Sequence, residues 1–238
     1  MNTYKFGKLP KKQDDRNLQF AKYVKALAPP PLAFDNLQAV YNLLKISDPT
    51  KLFPMDGNDQ YGDCTIAGIS HADTIYNGLI GKKSIATKCA VLRLYRHLTG
   101  GPDTGLVELD VLNYWRQNKC FGDKITAFTE IDPKNHTHIQ QAIELFGGVY
   151  IGFNVQENAF NDFNANPKIT WTPGILTGNG HAVYLTSYDQ DTVTILTWGN
   201  LIKGTWGWFD CCVNEAYAIV PPELMTPELL ADLNDVTK

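Results

Sequence analysis

The apolar residues of this chain change period part-way along. From residue 64 to about 118 they recur at helical spacing, with Ile66, Ile69, Ile75 and Leu79, then Val91, Leu92 and Tyr95, then Leu109, Leu112 and Trp115. From about residue 149 they form short runs of strand character: Val149 to Val155, His181 to Tyr188, Thr192 to Thr197, Trp206 to Asp210 and Ala216 to Val220. Helices first and strands later predict an α+β fold of two lobes, with a functional cleft between them. Asp63 is a candidate cap for the helix opening at Cys64, Ser84 for the next, and Ile139 to Phe146 predicts one more short helix.

This division gives an arm over residues 1–52, a helical lobe over 53–122, an antiparallel β-lobe over 123–225 and a tail over 226–238. The arm is polar over its first 20 residues, offers short helices over 19–27 and 35–46, and is extended at Pro29-Pro30-Pro31. Such an arm suits a contact with a neighbouring subunit, or packing along the back of its own domain.

A formal net charge of -4 and the absence of a long basic run argue against nucleic acid as a partner. No leader segment and no bilayer-spanning apolar stretch is visible, so a cytoplasmic protein without membrane contact is expected. The five cysteines are Cys64, Cys89, Cys120, Cys211 and Cys212. An odd number without metal-binding spacing reads as free thiols. His136 and His138, near a helix start, are a weak metal pair, and no metal or organic cofactor is expected.

Two short segments carry chemistry. Asn58-Asp59-Gln60-Tyr61-Gly62-Asp63-Cys64 places a thiol where a loop turns into a helix, and Gly178-Asn179-Gly180-His181-Ala182-Val183 leads an imidazole onto a strand. A helix N-terminus and a nearby imidazolium both favour the thiolate, which is how a cysteine nucleophile is made. For an isolated cysteine or histidine, a place in the core is the more common role.

These segments resemble the papain-like cysteine peptidase family. Gly62-Asp63-Cys64-Thr65 resembles its nucleophile segment, Gly147-Gly148-Val149-Tyr150-Ile151 a following strand, and Gly180-His181-Ala182-Val183 its histidine strand. Thr197-Trp198-Gly199 with Thr205-Trp206-Gly207-Trp208-Phe209 resembles its paired Trp-Gly motif. The likeness covers roughly residues 53–220, in order. Asn214-Glu215-Ala216-Tyr217-Ala218 is similar to a divergent branch of bacteriophages and some bacteria, which suggests host cytoplasm or virion as location.

The resemblance implies a papain-like fold, with Cys64 as nucleophile, His181 as general base, and the Cys64 backbone N–H as an oxyanion donor. A side-chain amide six residues ahead of the cysteine falls at Asn58, with Gln60 a second candidate and substrate contact. The family's imidazole-orienting Asn falls at Leu196, which cannot accept an N–H. Thr197, reached by a one-residue strand shift, and Asn200 are the substitutes. Trp198, Trp206 and Trp208 either line the cleft or fill the core between the lobes. The expected function is cleavage of peptide or protein substrates through an acyl-thioester. The alternatives are a catalytically impaired structural or interaction protein of the virion, or an acyl transferase or amidase on cell-wall peptide. The arm shows no pattern of an inhibitory prosegment.

Overall fold

The structure is a computed structural model that describes residues 5–24, 27–46, 48, 51–166 and 168–222. Among them are strand β1 (Phe34–Asp35) and helix α1 (Asn36–Leu44), then helices α2 (Cys64–Leu79), α3 (Lys88–Thr99) and α4 (Glu108–Gln117). The later half holds β2 (Ala127–Ile131), α5 (His136–Phe146), β3 (Val149–Gln156), α6 (Glu157–Ala165), β4 (Leu176–Tyr188), β5 (Thr192–Thr197), β6 (Asn200–Thr205), α7 (Trp206–Cys212) and β7 (Val213–Val220). The architecture is α+β, with one antiparallel sheet in the order β2-β7-β3-β4-β5-β6 and β1 paired to β4.

The sheet buries both faces, because its central strands alternate two sets of apolar side chains. Val149, Ile151, Phe153 and Val155 enter a core with α5, α6 and Trp208, whereas Tyr150, Ala182, Tyr184 and Tyr217 enter a core with α2 and α4. Helix α2 is buried from Cys64 to Gly78, including the polar Ser70, His71, Asp73, Thr74 and Asn77, so it presents no solvent face as an amphipathic helix would. Gly68 lets it lie against the Tyr150 ring, and Tyr150 Oη donates to Thr65 O at 2.9 Å, which fixes the first turn of α2 on the sheet.

Several expectations are corrected. Trp206 to Asp210 is helical: Thr205 Oγ1 caps α7 by accepting from Trp208 N at 3.0 Å, and the alternating aromatics had mimicked a strand. Asp63 precedes α2 but makes no capping bond. Its backbone (φ -95, ψ 15) is not the extended form of a capping residue, and its carboxyl is buried. Thr87, not Ser84, caps α3; Ser84 Oγ donates to Asp73 Oδ2 instead. Only Phe20–Lys22 of the helix expected over 19–27 is helical, as a 3-10 turn; residues 25–26 lie outside the described residues, as does the tail at 226–238. Among the described residues, no helix is long and apolar enough to cross a membrane.

Candidate active site

Cys64 is the first residue of α2, and His181 lies on β4, where β4 crosses the start of that helix. Both line one cavity of about 10 Å³, together with Asn58, His71, Leu196, Thr197 and Trp198. The space is about that of a single water. Cys64 and His181 are each 1% exposed.

His181 Nε2 lies 2.8 Å from Thr197 Oγ1. Thr197 ends β5, which pairs with β4 in a register that sets Leu196 opposite Tyr184. Leu196 therefore belongs to the helical-lobe core, and its neighbour Thr197 faces the ring. Trp198 and Gly199 form the two-residue β5–β6 turn, both with positive φ (45° and 69°). A tryptophan rarely adopts this conformation. It is held there by stacking on His181, with ring centroids 4.6 Å apart and planes at 24°.

If the Thr197 hydroxyl orients the ring, Thr197→Val lowers kcat/KM about tenfold, the worth of one neutral hydrogen bond of about 1.4 kcal/mol. Thr197→Ser restores most of it. Equal rates with and without Thr197→Val in a peptide-hydrolysis assay, both measured on a full-length chain whose residues 5–9 are unseated from the site, contradict this role.

The site is covered by the N-terminal arm. Lys5 N donates to Asn58 O at 2.9 Å, and Asn58 Nδ2 donates to Lys5 O at 3.2 Å and to Tyr61 O at 3.1 Å. Leu106 N donates to Gly7 O at 2.8 Å, Lys8 N to Gly180 O at 3.2 Å and Leu9 N to Leu106 O at 2.9 Å. Phe6 meets the His181 and Trp198 rings edge-on, each at 6.0 Å. Gly7 lies so close to Gly62 that a Cβ on it would overlap the Gly62 carbonyl. Residues 5–9 of the arm thus cross the front of the site, whereas Leu18, Ala28, Pro31 and Phe34–Asp35 pack on the domain's own β2, α5 and β4.

The cover decides the electrostatics. Burial pushes the Cys64 thiol up to about 12, although the N–H groups of Ala182 and Gly7 point at its sulfur and favour the thiolate. Burial likewise lowers His181 from 6.5 to about 3. The thiolate expected from the helix N-terminus is absent in this covered form: lost solvation outweighs the helix end, and thiol and imidazole are both neutral. The group that the arm turns towards the sulfur is an N–H and not a carbonyl carbon, so the arm does not lie as a substrate for attack at Gly7.

Two acids near the cysteine are also shifted. Burial raises Asp63 to about 8, with the Asp56 charge adding to it, and raises Asp56 to about 7. The folded chain keeps protons that these carboxylates have lost in the unfolded chain above about pH 5. Their stabilisation is present at low pH and is lost as pH rises through 7 and 8. His71 and His181, lowered to about 4 and about 3, act in the opposite sense, but only below 6.5. The melting temperature is expected to fall between pH 6.5 and 8.5, and Asp63→Asn to flatten that fall. A calorimetric midpoint that rises over this interval contradicts the assignment.

The other sequence candidates lie apart. Gln60 is exposed and donates to Asp59 Oδ2 at 3.3 Å. Trp206 stacks on His136 at 4.4 Å and donates to Asp189 O, so its contacts are with α5 and the β4–β5 turn. Trp208 is core, donating to Gln156 Oε1 at 3.0 Å. Asn200 Nδ2 donates to Trp198 O and not to the ring of His181. His136 bonds Asp210 at 2.7 Å and His138 packs on Phe20; among the described residues no cluster suits a metal ion. The sequence reading missed His71, which lines the cavity seven residues beyond Cys64. That spacing on one helix face was the available signal.

No protein-family model matches this chain, and no curated sequence is significantly similar to it. Solved structures are similar. Xylellain, a cysteine protease from Xylella fastidiosa, superposes with a TM-score of 0.66 at 14% identity over 93% of this chain and 98% of its own. A cysteine protease of Carica candamarcensis gives 0.58 at 16% identity over 80% and 99%. Procathepsin B of Trypanosoma congolense gives 0.60 at 11% over 91% and 86%. The fold is papain-like. In this papain-like fold the helical lobe supplies Cys64 and the sheet supplies His181, as the sequence order required.

Proposed function

We propose that this chain is a papain-like cysteine peptidase, held latent in this form by its own residues 5–9. The observation that carries the reading is that a thiol at a helix start and an imidazole bonded to a hydroxyl line one cavity. With the arm displaced, water enters, the thiol becomes easier to ionise, and His181 Nδ1 takes its proton. The sulfur attacks a peptide carbonyl carbon. The Cys64 N–H and Asn58 Nδ2, which in the covered form bonds a carbonyl of the arm, hold the oxygen that becomes negative. The imidazolium returns its proton to the leaving amine, and water activated by the same ring releases the acyl group from sulfur. The test is hydrolysis of a mixed peptide substrate by a full-length variant whose arm is unseated.

A second reading has its own support. The cavity is nearly closed and its thiol is protonated, as in a scaffold whose role is structural, such as a virion component. It predicts that unseating the arm gives neither turnover nor any alkylation at Cys64 faster than at the exposed Cys89.

A further inference from the structure

The arm fills the groove with more than backbone. Lys8 is 7% exposed, and its ammonium lies 2.5 Å from Glu215 Oε1 and 3.3 Å from the Leu9 carbonyl. Glu108, from the first turn of α4, lies against Glu215, from β7, close enough to raise its pKa, and neither carboxylate has any exposed surface. Tyr217 Oη donates to Glu215 Oε2 at 3.1 Å. Gly152 on β3 completes the pocket: a side chain there would overlap Lys8 Cε, Glu108 and Glu215. Two acids and one base meet here in full burial, the acids contributed by the domain and the base by the arm.

The backbone on either side of this side chain is held as an extended peptide would be. Lys8 N donates to Gly180 O, immediately before His181, while Gly7 O and Leu9 N both bond Leu106. Main-chain bonds of this kind bind any sequence, and the pocket between them selects the side chain. An ammonium in it compensates acids that otherwise stand buried without a cation. Glu108 is raised well above the ordinary range by burial and by Glu215, so it holds its proton.

We propose that the Glu108–Glu215 pocket is the specificity pocket of the groove, taking a lysine or arginine side chain of a peptide substrate once Lys8 has left it. The proposal rests on the peptidase reading for what happens to the bound peptide, though not for the binding itself. The probe is the capped pentapeptide Lys-Phe-Gly-Lys-Leu, a copy of residues 5–9, carrying a fluorophore, titrated into the full-length Lys8→Ala chain and followed by anisotropy. A matched peptide has norleucine in place of its second lysine. The expected result is at least tenfold tighter binding of the lysine peptide, with the difference lost in the Lys8→Ala, Glu215→Gln double variant. Equal binding of the two peptides, or binding of neither, overturns the proposal. The comparison on the Lys8→Ala chain stands by itself should the double variant not fold. Neither outcome involves the thiol. Failure of the peptidase reading shows separately, as absence of turnover on a mixed peptide substrate.

Discussion

Gly7→Val is expected to raise the alkylation rate of Cys64 by iodoacetamide at pH 7 about a hundredfold to a thousandfold. In the covered form the thiol lies near 12 against an ordinary 9.0, about a thousandfold deficit in thiolate before access is considered. Five hydrogen bonds to backbone groups of residues 5–9, at about 1 kcal/mol each, hold the arm, together with the buried Lys8–Glu215 ion pair, so spontaneous opening is rare. A branched side chain at position 7 cannot approach Gly62, and the strand must lift there. Lifting it removes Phe6 from His181, takes away one donor to the sulfur and admits water. The exposed Cys89 serves as the internal control, since its rate should not change. A Cys64 rate equal in Gly7→Val and the parent chain means that the arm does not control the thiol.

In that opened chain, Cys64→Ser is expected to remove peptide hydrolysis by a factor on the order of 10⁵ or more. A serine hydroxyl in the same place is a far weaker acid than a thiol. His181 has only the Thr197 hydroxyl on Nε2, a neutral partner, with which to stabilise an imidazolium. The pair is therefore suited to a nucleophile that ionises readily and ill suited to one that does not. Circular dichroism should show the variant folded, since one atom changes. Residual hydrolysis within tenfold of the opened parent identifies some other group as the nucleophile.

What was legible beforehand was local. Cys64 after Gly62-Asp63 and His181 after Gly180 are marked by their immediate neighbours, and the structure brings their segments to one cavity. Thr197 against Leu196 was a matter of register, and one residue reverses the face of every side chain. The register is set by a turn with Trp198 at positive φ, which no propensity suggests. Helix α7 was misread because Trp206, Trp208 and the residues between them imitate strand alternation, whereas the deciding signal was the Thr205 cap. Strands β2 and β6 and helix α6 carry no strong local pattern and take their place from pairing and packing.

The arm was the least legible part. Residues 5–9 have no apolar period because backbone bonds and a glycine-to-glycine approach seat them, and neither leaves a mark in sequence. Lys8, Glu108 and Glu215 read singly as solvated charges. They are separated by about 100 residues each, and only the folded chain brings them together in full burial.

The central claim is a thiol that forms an acyl bond with the help of one imidazole. It is tested by mixing the full-length Gly7→Val chain with an activated ester of a short lysine-containing peptide, quenching in acid and locating the added mass. The account predicts the acyl group on Cys64, accumulating within the first turnover and absent in the His181→Ala variant. An acyl group spread equally over Cys64, Cys89 and Cys211, or one indifferent to His181, contradicts it.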